Sequence, residues 1–518
     1  MMAGSVARPP AALLVLAVAV AVLVLLPVAS TLFEAAQVSG AEAAELLFRP
    51  LVGKLLINTV GLALATTLVT AVIGTACAWA VERTRLPGRA VWRVLAVVPL
   101  AVPPFISSYA WVSLSSALQD FWGALLVVSG AYYPLVYLPV AAALRGMDPA
   151  LEESARLLGH GPWRCFFAVV LRQLRPALLG GMLLVALHML GEFGAFTLLR
   201  FRTFTTELYA EYRTGFDGPG ASLLAVVLLV LCLICVVAEM RVRAASRYAR
   251  LGRGTRRRAS PHELGLATLP VLAGFAALVV ATLGVPLGMI LYWLTQHGAA
   301  AITPASVSLD RMADATLASV WLSAAGAGVT VLLALPLAFL AARHPGWAST
   351  FLERAAYLTQ GVPAIVVALA LIGLTLGAVP PLYQSAGLLI FAYAILCLPL
   401  ALVSVRAAFL QAERTLEEMA RGLGLGWAAV LWRVVLPLAG AGIGAAAALV
   451  FVAVVTELTA TLLLAPIGTR TLATEVWANT STLAFAAAAP YAALMAALSL
   501  LSTWLLARRF GGGTLAAA

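Results

Sequence analysis

Twelve stretches of this chain are apolar for long enough to cross the hydrocarbon core of a bilayer, which takes about 20 residues of helix. In the first half they lie near 11–32, 55–82, 90–114, 121–145, 177–199 and 220–240. In the second they lie near 264–294, 315–342, 356–379, 383–410, 438–465 and 486–507. No other feature restricts the fold as strongly. Hydrocarbon offers no partner to backbone N–H and C=O groups, so each run must satisfy its own as a helix. The chain is expected to be all-α, a polytopic membrane protein of about 12 spanning helices. Its 63% hydrophobic and 11% charged residues set it apart from soluble domains, where about 25% are charged. The first run, after Arg8, has the length of a span and is read as one instead of as a signal peptide.

The net charge of +11 does not signal nucleic acid, because 32 of the 33 basic residues are arginines set in the gaps between apolar runs. That distribution reports topology. With the amino terminus inside, 26 basic residues fall on the cytoplasmic side and seven outside, namely Arg49, Lys54, Arg200, Arg202, Arg213, Arg311 and Arg470. The positive-inside rule then places both termini in the cytoplasm. A basic segment at 241–262 divides a first transmembrane domain, 1–240, from a second, 263–518, and reads as a solvated linker facing the lipid surface. Cys232 and Cys235 form a CxxC inside an apolar run and read as small buried hydrophobes.

The halves repeat one another. Ala78-Trp79 and Val102-Pro103 return as Ala338-Phe339 and Val362-Pro363 at an offset of 260. Gly191-Glu192-Phe193 returns as Thr456-Glu457-Leu458 at 265, and the stretch from Thr203 to Tyr209 returns from Thr471 to Trp477 at 268. Six spans per half give both halves the same orientation, hence a parallel repeat with a path between its halves.

One repeated block is polar. Between the fourth and fifth spans stands Glu153-Ser-Ala155-Arg-Leu-Leu-Gly159, and 265 residues later Glu418-Met-Ala420-Arg-Gly-Leu-Gly424. Each reads as two short helices joined by a glycine bend on the cytoplasmic side, a docking elbow. Asp148-Pro149 is expected to start the first elbow, and a capping box from Thr415 to Glu418 the second. Two further pairs stand out. Glu192 and Glu457 fall inside spans, where a carboxylate costs about 2.5–3.5 kcal/mol, so each either faces a water-filled path or hydrogen-bonds a neighbouring helix or the backbone. Pro103 and Pro363, with Pro99 and Pro104, are expected to bend their spans, with or without a gating role. His188 reads as a packed polar residue, and the scattered histidines define no ligand set for a metal.

The polar block, Glu-x-Ala-x-x-x-Gly followed after nine residues by an apolar-x-Leu run, resembles the EAA loop of permeases of ATP-binding-cassette importers. The loops span 148–176 and 413–437, and the second ends on Pro437 where the first has Arg172. Two six-span copies in one chain resemble the fused ferric-iron permeases, as do the stretches around Glu192, Thr203, Glu457 and Thr471. The resemblance implies two homologous six-helix type I importer domains in tandem, in a bacterial inner membrane. It implies that Glu153, Ala155, Gly159, Glu418, Ala420 and Gly424 dock two copies of a separate ATPase, which carries the ATP and magnesium. It further implies an extracytoplasmic binding protein that delivers ferric iron, with no enzyme activity or cofactor in this chain. Its only lysine, Lys54, lacks the glycines of a phosphate-binding loop. Two alternatives are an importer of thiamine, a polyamine or another small cation, and an ion-coupled secondary transporter.

Overall fold

The structure, a computed structural model, describes residues 9–215, 218–248, 261–296 and 308–510. Most of the basic linker, at 249–260, lies outside the described residues. Ten helices are long and apolar enough to span a membrane, and two further pairs do so together across a sharp bend. In chain order the first six are α1 (Ala11–Ala35), α2 (Pro50–Arg83), α3 (Arg89–Ala101 with Pro104–Leu114), α4 (Phe121–Gly146), α5 (Trp163–Gly191) and α6 (Gly218–Val242). The second six are α7 (Gly265–Thr295), α8 (Leu309–Arg343), α9 (Trp347–Gly361 with Ala364–Ala378), α10 (Ala386–Gln411), α11 (Trp427–Val455) and α12 (Phe485–Leu506).

Hydrophobicity alone cannot choose the inner face of such helices, because every face is apolar. Small residues choose it. On α2, Thr59, Thr66, Thr70, Gly74 and Ala78 are buried, while Ile57, Leu64, Leu68 and Val72 point outward to where lipid would lie. A Cβ on Gly74 would stand 2.9 Å from the Tyr137 amide nitrogen, and one on Gly181 of α5 would stand 2.9 Å from the Val136 Cα. These two glycines let α2 and α5 close on α4. The repeat reproduces the trio with α8, α10 and α11, which pack on one another in the same way.

The first span of each half does not stay with its own trio. Helix α1 packs between α6 and the broken α9 of the other half, and α7 packs between α12 and the broken α3. The halves therefore clasp each other, and a division at 241–262 is one of sequence rather than of packing.

Three expectations change in detail. The fifth and eleventh spans were expected at 177–199 and 438–465, but they start at the elbow, at Trp163 and Trp427, and stop at Gly191 and Val455. The apolar run continues past a break at Glu192 and Glu457. In the second elbow the helix begins at Arg414 with Glu413 at its cap and no side-chain capping bond, so Thr415 lies inside the helix and forms no capping box. In the first, the Asp148 carboxylate accepts the Ala150 N–H at 3.0 Å.

The proline bends are right angles. The two segments of α3 meet at 90° around Val102-Pro103, and those of α9 at 104° around Val362-Pro363. Valine and proline are extended at both places, and Pro103 and Pro363 cap the helices that follow. A residue before proline avoids the helical region, which makes the break local and sharp.

Candidate functional site

The two elbows share one backbone. Helices Ala150–Leu157 and Arg414–Gly422 end on glycines in the left-handed region, Gly159 at φ +83° and Gly424 at φ +84°. The His160 N–H reaches the Ala155 carbonyl and the Leu425 N–H the Ala420 carbonyl, both at 3.1 Å. This is the Schellman closure, which favours glycine because a Cβ is strained there. Among the described residues, chain neighbours aside, no atom lies within 4 Å of a Cβ built at either glycine, so the requirement is conformational and not one of space. Next comes a π turn, Phe166–Val170 or Leu431–Val435, leading into the long span. Both copies have it although only the second has proline, so Arg172 in place of Pro437 leaves the bend unchanged.

Glu153 and Glu418 are exposed, while Ala155 and Ala420 are buried within the chain. The exposed crown is apolar, with Leu157 and Leu158 on the first elbow and Met419 and Leu423 on the second. The neighbouring glutamates, which sequence reasoning passed over, fix the elbows from below. Glu417 pairs with Arg343 of α8 at 2.5 Å, both side chains under a tenth exposed, and Arg343 also donates to the Ala412 carbonyl at 2.9 Å. Glu152 faces Arg83 of α2 at a looser 3.5 Å and takes Arg156 at 2.6 Å. His262, the last residue of the linker, completes the first cluster. Its ring lies 3.3 Å from Glu152 and stacks on Trp79, and its backbone bridges Arg83 and Arg85. The glutamates have a sequence signal, since they and the two arginines recur across the repeat. His262 has none.

The glycine requirement can be measured. Gly424→Ala is expected to cost the elbow about 1–2 kcal/mol through left-handed strain. Amide hydrogen exchange at Ala420–Leu425 should quicken accordingly. Gly422→Ala, inside the helix with open space for a Cβ, should leave exchange unchanged or slower.

The second locus is the break that follows α5 and α11. Glu192 follows the end of α5, and its Oε1 accepts the Ala195 N–H at 2.9 Å, capping the short helix Gly194–Leu198. Glu457 does the same at 3.0 Å for Ala460 and the helix Thr459–Leu464. Each carboxylate satisfies a backbone group freed by the break, a need that is acute in hydrocarbon. Both are half-buried and within electrostatic reach of each other. The broken spans converge here as well: Gly191 lies beside Pro363, and Gly194 is wedged between Leu458 and Phe105. Glu192, Glu457, Pro363 and the residues just after Pro103 thus meet where the two halves touch. His188, one turn before Glu192, bonds the Leu184 carbonyl at 2.8 Å. Among the described residues no three His, Cys, Asp or Glu side chains gather into a metal-binding group.

Beyond each break the chain leads to another repeated unit. Thr203 and Thr471 open the helices Phe204–Ala210 and Leu472–Ser481 with capping boxes. Their first N–H groups are held by Thr59 at 3.1 Å and Ser319 at 2.8 Å, hydroxyls of α2 and α8. Arg202 pairs with Glu207 and Arg470 with Glu475 in register.

Two half-chains with paired elbows, broken spans and a shared central seam define a tandem transport permease. The chain belongs to the family described as binding-protein-dependent transport system inner membrane component, which matches it twice, at 71–248 and 334–509. It is therefore a multi-pass inner-membrane protein, and the first spans, α1 and α7, lie outside both matches. It is similar to Fe(3+)-transport system permease protein FbpB 2 of Haemophilus influenzae, 35% identical over 506 residues covering 96% of this chain and 98% of that one. It is also similar to the sulfate transport system permease protein CysT of Escherichia coli, 31% identical over 42% of this chain and 85% of that one. The molybdenum transport system permease protein ModB of Escherichia coli is 29% identical over 33% of this chain and 84% of its own length.

Proposed function

We propose that this chain forms the translocation path of an ATP-binding-cassette importer for ferric iron, delivered by an extracytoplasmic binding protein. Two copies of a separate ATPase dock on the elbows, and their closure rocks the clasped halves between outward- and inward-open states. The observation that carries the reading is the alignment of the whole tandem with a ferric permease, whereas the sulfate and molybdenum relatives cover well under half of the chain. The site's charge supports it. Two carboxylates at the central seam attract a cation and repel an oxyanion such as sulfate. On the elbows, Glu153, Glu418 and the exposed leucines meet the ATPase, Gly159 and Gly424 set the bend, and Ala155 and Ala420 seat the helices on the permease. Both termini lie in the cytoplasm, as the arginine distribution requires.

The reading is tested by reconstituting the chain in vesicles with its ATPase and a panel of loaded binding proteins. Ferric iron is expected to stimulate ATP hydrolysis and to accumulate in the lumen, while sulfate, thiamine and polyamines do neither. Stimulation by one of those cargoes and not by iron would overturn the assignment.

A further inference from the structure

Glu192 and Glu457 are equivalent by the repeat, yet their side-chain surroundings are not. From Phe121 to Gly159 the first half aligns without a gap on Ala386 to Gly424, at an offset of 265, with Pro134 on Pro399. That register sets Cys397 where the first half has Tyr132. The backbone treats the two carboxylates alike, since Ala195 donates to Glu192 at 2.9 Å as Ala460 donates to Glu457 at 3.0 Å. The difference is one hydroxyl. Tyr132 donates to the Glu192 Oε2 at 2.5 Å, a charge-assisted bond. Cys397 is within electrostatic reach of Glu457 but gives it no hydrogen bond, and no other side chain among the described residues does so.

A cation that takes the Glu192 Oε2 has to displace the Tyr132 hydroxyl already bound to that oxygen. Glu192 would have to break the Tyr132 bond and leave a buried phenol hydroxyl without a partner, whereas Glu457 has no side-chain donor to lose. Tyr132 itself lies within electrostatic reach of both glutamates, at the seam between the halves.

We infer that the two carboxylates divide their work: Glu457 meets the passing cation, and Tyr132 is a positioning residue that holds Glu192 out of that role. This rests on the cation-importer reading above, deepening it from a symmetric pair of waypoints to a single-sided one.

The test uses the full chain reconstituted with its ATPase and loaded ferric binding protein, reading iron uptake per ATP hydrolysed. Glu457→Gln is expected to lower uptake by about tenfold or more and Glu192→Gln by less than about threefold, because only the former removes an available charged ligand. Tyr132→Phe keeps the ring, which packs 5.4 Å from His188, and removes only the hydroxyl. Placed in the Glu457→Gln background it should recover uptake several-fold by freeing Glu192, a rescue that a purely structural tyrosine would not give. Equal or reversed losses in the two single variants, or no recovery in the double variant, overturn the inference. If Tyr132→Phe fails to assemble, the ranking of the two glutamine variants decides alone. If the wild-type chain carries a different cation, the iron assignment fails while the same ranking, read with that cation, still decides the division of roles.

Discussion

Arg343→Ala is expected to be the most destabilising single truncation beneath the elbows, at about 3–5 kcal/mol. The reason is burial: Arg343 and Glu417 are 6% and 7% exposed at a separation of 2.5 Å, so the truncation strands a carboxylate beneath the second elbow. Denaturant unfolding of the detergent-solubilised chain should show the loss. Replacing both partners together, Arg343→Met with Glu417→Leu, should recover most of it, since no charge is then left unpaired. Arg83→Ala in the first half should cost less. Its pair with Glu152 is 3.5 Å long, and Glu152 retains Arg156 at 2.6 Å and His262 at 3.3 Å. Equal losses at the two arginines would show that burial alone, and not pairing, sets the cost.

Gly194→Val is expected to abolish most transport while leaving the elbows intact. A Cβ there would lie 2.9 Å from the Leu458 Cδ2 and 3.0 Å from the Phe105 Cβ. Leucine can swing its tip away, but the Phe105 Cβ is fixed to the backbone just after the Pro103 bend and has no such freedom. The strain falls on the seam where the halves must rearrange. Overpacking of this kind costs about 1–3 kcal/mol. Borne by one of two conformations, it shifts their balance roughly five- to 150-fold. Iron uptake should fall on that scale while hydrogen exchange at the elbows stays as in the wild type. Leu458→Ala in the same chain should restore uptake in part, and an unaltered rate in Gly194→Val would mean that the seam does not close during the cycle.

Much of this was legible in the chain because it depends on short stretches. Span number follows from run length, and each of the twelve expected runs overlaps a span or a bent pair. The bends at Pro103 and Pro363 follow from proline's effect on the residue before it. The glycines of the elbow follow from helix closure. Other features were present in the sequence but hidden by emphasis. Glu152 and Glu417 stand directly beside the more familiar Glu153 and Glu418, and only their burial against Arg83 and Arg343 separates anchor from surface. The exchange of Tyr132 for Cys397 is visible once the halves are laid in register. Nothing in either residue announces it, because its meaning depends on which carboxylate lies opposite. The ends of α5 and α11 were misplaced because a hydropathy run does not register a break whose freed N–H groups are taken up by a glutamate side chain.

The amino-acid sequence by itself determined that this is a duplicated, twelve-span permease with two polar elbows. Run length, charge asymmetry and repeat spacing are local properties of the chain, and lipid permits only one backbone solution for them. Tertiary structure decided which helices meet. That α1 and α7 cross to the opposite half, that His262 reaches back to the first elbow, and that one central glutamate is held by a phenol while its twin is not, all depend on contacts between distant segments. In helices apolar on every side, hydrophobicity names no inner face. Only the fit of small residues such as Gly74, Gly181 and Gly194 against particular neighbours selects one arrangement.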